Sequence, residues 1–535
     1  MSELSYWTRI STGQLSRRHV LRSAALGGAG LAAAALIGCS SGKEQKPAEK
    51  TGATAPGATA TATASATGTA SAAAALPANL ILLKTSPERG PGGTKFTITG
   101  EGLKPSTRLD FVWNATNGVY KTELNNNRME FFERLFTLER TPLGQVTTDA
   151  QGKVSASFTA PVDFGGVHDI YALIDGKESA KAGFLIEKTV NFSPSEGPLG
   201  TPITVRITGL GSSAFTSTGA IRYDNKYTGF VTATTTRGTA EFQLRAAGPV
   251  GDHLIELYGA SHATPYLNVE QSPVAAVGTY RATFRVTRDG GPPANVLEWP
   301  EQSLVSTSAV MPRTTIGLAG TTPTPATLSP ATGPIRSTPK LEASGLPAGA
   351  AVDLVWMTVT GNDVTGWQLG EEALGKATAA AGGTLSVPVT VPESLGGWHG
   401  VRIVSGGKVL AEAPYFVERN LERAPAQRVK AGEKFTVQLK GVGWTELDNG
   451  AAVTYDNSYL GYACGFSSKG DVTVELVATG GPGTHLIDFY PMIYDGGHGK
   501  WPWQYNLPML TFTRDHPSLG LGYRLPAFHL AIEVV

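Results

Sequence analysis

Nine histidines are spread along this 535-residue chain, and four of them share one local pattern. His168, His253, His399 and His485 each follow Gly-x and precede a stretch of alternating apolar residues. An imidazole titrates near neutral pH and ligates metals, so such residues suit proton transfer or metal binding. Their wide separation argues against a local metal site. Recurrence at one position of a repeated strand favours a structural task, in which the ring bonds a neighbouring loop backbone as a tyrosine corner does. No metal and no cofactor is expected from them.

A second pattern occurs twice. Tyr223-Asp224-Asn225-Lys226-Tyr227 returns as Tyr455-Asp456-Asn457-Ser458-Tyr459, and His253 to Tyr258 returns as His485 to Tyr490, all at an offset of 232. Asp-Asn is turn chemistry. One reading is a hairpin turn with tyrosines packed on its flanks. The other is a polar and aromatic patch that both copies use for a ligand or for docking one module type onto the other. The spacing allows one histidine per module to meet a carboxylate such as Asp224 or Asp456 across a sheet, but does not demand it.

The sharpest asymmetry lies near the carboxyl end. From Tyr258 to Tyr280 the first copy spends 22 residues, and from Tyr490 to Tyr523 the second spends 33, so 11 extra residues are expected there. They surround Tyr494, His498, Trp501, Trp503 and Tyr505 in a Gly-rich run. Large aromatics are costly to expose, so this loop either buries against a neighbouring module or faces a ligand or partner. His498 beside Asp495 supplies two metal ligands, fewer than a zinc site takes. No Gly-x-Ser-x-Gly elbow, His-Glu-x-x-His, phosphate loop or dinucleotide fingerprint occurs, so no catalytic residue is assigned.

The elements that position these residues follow from composition and periodicity. The chain is rich in Gly (65) and Pro (34), and short runs such as Lys95-Phe96-Thr97-Ile98-Thr99 alternate with a period of two, as half-buried strands do. A zero formal net charge with 16% charged residues excludes the basic footprint of a nucleic-acid protein. The length calls for several domains. Leu109 to Trp113 parallels Val352 to Trp356 at offset 243, whereas Phe164 to His168 parallels Leu395 to His399 at offset 231. The first module therefore carries 12 extra residues within 114–141, where Met129 to Phe136 has helical periodicity and reads as a short helix or loop. The order is A1-B1-A2-B2: an all-β chain of four sandwiches at 77–188, 189–292, 329–418 and 419–535, with a Pro/Thr-rich linker at 293–328.

The module openings, such as Pro198-Leu199-Gly200-Thr201, resemble those of the IPT/TIG group of immunoglobulin-like domains. The resemblance implies two packed antiparallel sheets per module. At the amino terminus, Ser16-Arg17-Arg18-His19-Val20-Leu21 before a weakly apolar run resembles a twin-arginine export signal, with Val20 where that pattern usually has Phe. Leu36-Ile37-Gly38-Cys39 resembles a bacterial lipobox. That implies a signal peptide at 1–38 and a lipidated Cys39. Residues 39–76, almost all small, read as a flexible tether. Cys464 then has no intrachain partner and reads as a small buried apolar residue, its counterpart in the first copy being Thr232.

Together these readings give an extracytoplasmic, lipid-anchored, non-enzymatic protein that binds a cell-wall polymer, a polysaccharide or a surface protein. Two alternatives stand beside it. One is an exported polymer hydrolase with a site between A2 and B2 drawing on His485, Asp456 or His498. The other is a purely structural spacer, which predicts burial of the long B2 loop.

Overall fold

Alternation at period two puts one row of side chains inside and the other in water. In the computed structural model Phe96 and Ile98 are buried while Lys95 and Thr99 are exposed, and the same pattern opens every module. The structure describes residues 80–535 except 126–127, 214–215, 262, 266, 268–279, 306–315, 318–323, 363–364, 466 and 495–505. The export motif, Cys39 and the tether lie outside the described residues, as do His498, Trp501, Trp503 and Tyr505. No helix among the described residues is long and apolar enough to cross a membrane.

Module A1 shows the plan. Its strands are β1 (Ile81–Leu82), β2 (Lys84–Ser86), β3 (Arg89–Gly90), β4 (Lys95–Gly100), β5 (Arg108–Asn125), β6 (Arg128–Thr147), β7 (Val154–Thr159), β8 (Gly166–Ile174) and β9 (Lys177–Ile186). One sheet runs β2-β4-β7, and the other runs β1-β9-β8-β5-β6 with β3 also on β9. The opening segment thus crosses from one sheet to the other, where it pairs parallel with the last strand. B1 and B2 repeat this division into a three-stranded and a longer sheet. In A2 the strand Thr324–Ser329 pairs with both sheets and joins them. This order defines four immunoglobulin-like sandwiches in tandem, each with its own apolar core.

Four expectations need correction. The run Met129–Phe136 is part of β6, not a helix or a covering loop. Strand β5 has 18 residues against 12 in its A2 counterpart (Ala351–Asn362), and β6 has 20 against 13 (Gly366–Thr378). The extra residues therefore lengthen a hairpin, and hydrogen bonding to β5 overrides the local periodicity. Next, Tyr523 is not the counterpart of Tyr280. Tyr280 pairs with Leu257 and Phe528 pairs with Phe489, so Phe528 is the true equivalent. Measured to it, B2 spends 38 residues where B1 spends 22, an insertion of 16.

The stretch 293–328 is also more than a linker. Val296–Glu298 pairs antiparallel with Ala527–His529 on the edge of the B2 sheet, and Thr324 already begins A2. Asp289, just upstream, accepts bonds from the backbone N–H and hydroxyl of Thr484, both at 2.8 Å. Last, Cys464 is half-buried on the edge strand Ser458–Cys464 rather than in a core.

The A–B junction is built alike in both halves. Gly165 lies so close to Gly209 that an added Cβ would stand 1.9 Å from the Gly209 carbonyl oxygen, and Gly396 meets Gly441 in the same way. Only glycine allows that backbone approach. B1 and B2 also pack directly on each other. Leu486, Tyr490, Leu510, Phe512, Ala527 and Ala531 of B2 belong to the cluster that forms the B1 core. Strand Ala527–Val534 is accordingly buried on both faces, every residue but Glu533. Its near-continuous apolar sequence is the form that double burial takes.

Candidate binding groove

In all four modules the histidine lies over an aromatic ring and ties down a loop. His168 stacks on Trp113 with centroids 4.7 Å apart, and His399 on Trp356 at 4.6 Å. Their ring nitrogens face backbone carbonyls of Asn114 and Phe164, and of Met357 and Leu395. Burial pushes His399 down to about 4, so it is neutral at pH 7. In the B modules a carboxylate replaces one carbonyl. His253 Nδ1 lies 2.6 Å from Asp224 Oδ2, and His485 Nδ1 lies 2.6 Å from Asp456 Oδ2. The rings stack on Tyr223 and Tyr455.

Asp224-Asn225 and Asp456-Asn457 are two-residue hairpin loops with both residues at positive φ, as a type I′ turn requires. Asp and Asn tolerate that region better than other non-glycine residues. The second carboxylate oxygen accepts the next strand's N–H, from Leu254 or Leu486, at 2.9 Å. The His-Asp pair thus fastens a turn to a strand in both copies. Asp456 raises His485 above its ordinary value. Because the folded value is the higher one, the stabilisation is full below about pH 6.5 and is lost as pH rises through the raised value. Asp456→Asn keeps the turn and is expected to flatten that part of the pH dependence of B2 stability. Urea midpoints of both proteins at about pH 6 and about pH 9 check this.

The second tyrosine of the motif has a different role from the first. Tyr223 is in the B1 core, whereas Tyr227 meets Tyr459 edge-to-face with centroids 6.2 Å apart. The docking expected of A on B is therefore docking of B on B at this point, through equivalent residues of the two copies. Asn457 adds a bond from its amide to the Arg245 carbonyl at 2.8 Å.

The described part of the B2 insertion is buried among three modules. Met509, Leu521 and Tyr523 cluster with Trp398 and Phe416 of A2 and with Phe230 of B1. Phe230 exchanges backbone bonds with Pro508 and Leu510 at 2.9 Å. Asp515, 1% exposed, accepts the N–H groups of Thr234 and Thr235 and the hydroxyls of Thr235 and Tyr120. Tyr120 comes from the long A1 hairpin, so one carboxylate joins A1, B1 and B2. Tyr494 donates its N–H to the buried Glu446 carbonyl at 2.7 Å.

A buried charge network lies where B1, the linker strand and B2 meet. Arg245 Nη2 is 2.5 Å from Asp488 Oδ1 and also donates to the Leu530 carbonyl at 2.7 Å. His529 bridges Asp488 (Nδ1, 2.7 Å) and Glu298 (Nε2, 3.0 Å). Beside this network run two cavities, of about 170 and 410 Å³, that share Gln243, Glu298 and Trp299 as walls. The outward-facing residues Glu241, Gln243 and Arg245 of one B1 strand line up along them. Arg524 lies over the Trp299 ring, 4.9 Å from its centroid.

None of these groove residues was singled out from sequence. One signal was present: Asp488 stands at the position of Glu256, so both copies carry an acid within an apolar strand. In B1 that acid is satisfied locally by Arg281 at 2.8 Å. In B2 it is satisfied by Arg245 from the other half.

No family model matches the chain, and no curated protein does. Solved structures that align with it include Salmonella alpha-2-macroglobulin mutant Y1175G, 10% identical over 83% of this chain with a TM-score of 0.17. The chain spans 30% of that protein's length. The ICAM-5 D1–D4 ectodomain fragment is 12% identical over 85% of this chain and 99% of its own, with a TM-score of 0.16. The N-terminal eight Ig domains of DSCAM are 13% identical over 75% of this chain and 45% of theirs, with a TM-score of 0.14. At such TM-scores the overall superposition carries no weight, and the immunoglobulin-like class rests on the strand order within each module.

Proposed function

We propose that this chain is an exported, lipid-anchored protein that holds a four-module binding scaffold outside the cytoplasm and works without catalysis. The observation that carries this reading is the groove at the B1–B2 seam. Segments of B1, the linker strand and B2 wall it, and a buried charge network holds them in place. Preorganised sites of this kind lose little entropy on binding. Support for the anchor comes from Arg17, Arg18 and the Leu36–Cys39 run in the sequence. Acyl chains on Cys39 would hold the protein at about 0.8 kcal/mol per buried CH2. The partner is a cell-wall polymer, a polysaccharide or a surface protein.

The His485–Asp456 pair, a candidate for the hydrolase alternative, has a twin in His253–Asp224 with the same bonds. Such duplication favours a turn-fastening role. Burial of the insertion among three modules favours a structural role for Met509–Tyr523 itself. For Tyr494, His498, Trp501, Trp503 and Tyr505 the proposed role is contact with a ligand or partner.

Two experiments test the reading. Cys39→Ala is expected to move the protein from the membrane fraction to the soluble fraction, and a variant that stays membrane-bound sinks the anchor. The full chain in detergent is expected to be retained by isolated cell-envelope material of its host. Failure of that retention sinks the binding function.

A further inference from the structure

We infer that the groove between the outer face of the B1 three-stranded sheet and Val296–Trp299 binds a segment of an uncharged polysaccharide. This deepens the binding function proposed above and rests on it. The larger cavity, at about 410 Å³, falls within the range of about 300–1,000 Å³ typical of ligand sites. The smaller one extends it past Gln243 and Trp299, so the site is elongated and suits a chain rather than a compact molecule.

The lining specifies the ligand's charge. Arg514 lies 3.6 Å from Glu241, His529 bonds Glu298 at 3.0 Å and Arg245 pairs with Asp488, while Glu301 on the wall and Arg524 over Trp299 add one charge of each sign. The acids and bases answer one another, so neither a polyanion nor a polycation finds a field to enter. What remains is a mixed set of donors and acceptors around an indole. The Gln243 amide both donates and accepts, and the Glu298 carboxylate accepts. A sugar hydroxyl donates and accepts at one oxygen and satisfies such a set, while the apolar face of the ring packs on the side of the Trp299 indole away from Arg524.

The linker explains itself on this reading. Val296–Glu298 forms an edge strand on B2 and carries Glu298 and Trp299 to the groove. Val296 and Leu297 are exposed at 52% and 38%, so the strand is not held there by burial of its own side chains.

The test uses the full chain in detergent micelles with cellotetraose, maltotetraose, mannotetraose and chitotetraose as neutral probes and tetragalacturonate as the charged one. Calorimetric titration is expected to show binding of at least one neutral tetrasaccharide and none of tetragalacturonate. Trp299→Ala and Gln243→Ala are each expected to weaken that binding by at least about tenfold with unchanged circular dichroism. Gln243→Ala removes only an exposed-side amide, so it keeps the test valid if Trp299→Ala misfolds. The inference is overturned if no neutral probe binds, if tetragalacturonate binds instead, or if Gln243→Ala binds as tightly as the parent. Envelope retention that persists in both variants would overturn this site while leaving the broader binding function standing.

Discussion

Replacing Arg245 by Ala is expected to destabilise the B1–B2 seam by about 3–5 kcal/mol, the usual consequence of removing one partner of a buried ion pair. The Arg245 and Asp488 side chains are 11% and 1% exposed, and the variant leaves the Asp488 carboxylate facing only His529. Arg245→Met combined with Asp488→Leu removes both charges and keeps the volume, so it is expected to recover most of the loss. Thermal midpoints of the parent, the single and the double variant decide this. A double variant as unstable as the single one would show that Arg245 acts through packing or its bond to Leu530.

The same network sets a pH dependence. Burial alone would push His529 down, but Asp488 and Glu298 hold it at about 9. With the folded value above the unfolded one, its contribution is full below about pH 6.5 and is lost as pH rises through about 9. Burial would raise Asp488, but Arg245 and His529 bring it below the usual carboxylate value. Its contribution is therefore full above about pH 4 and falls away in acid. Seam stability is expected to be greatest between about pH 4 and 6.5.

Asp515→Ala is the second large effect. It strands the buried N–H of Thr234, which the carboxylate receives at 2.7 Å, and frees that of exposed Thr235, received at 2.8 Å, to water. The unsatisfied Thr234 donor costs about 1–3 kcal/mol, and loss of the Tyr120 bond adds to it. Hydrogen exchange at Thr234 and Thr235 is expected to accelerate together with that of the A1 hairpin around Tyr120, because all three share this carboxylate. Asp515→Asn retains one acceptor oxygen and is expected to show a smaller change. Unchanged exchange at both threonines would mean that neighbouring backbone holds the junction.

Much of the architecture was legible because local signals agree with the fold. The Asp-Asn turns, the Gly-x-His strands and the period-two openings all lie where short-range chemistry decides the conformation. What failed had non-local causes. Met129–Phe136 has apolar residues at helical spacing, yet its backbone bonds go to β5 across a hairpin. Tyr523 resembled Tyr280 as an aromatic ahead of an apolar stretch, but its ring is buried against Phe416 of A2, 5.9 Å between centroids. Val296–Glu298 is too short to signal a strand, and its partner lies some 230 residues away at His529. The groove was invisible for the same reason. Arg245, Glu298 and His529 are unremarkable alone and become a site only when two halves of the chain close on each other.

The capture of Val296–Glu298 by Ala527–His529 bears on how such a chain can be inherited. The second half completes its outer sheet with residues that precede its own first module. A gene fragment cut at the obvious repeat boundary would encode a B2 with a bare edge beside His529, and would leave the donor strand behind on the other fragment. The boundary that the sequence repeat marks is therefore not the boundary of the folded B2 sheet.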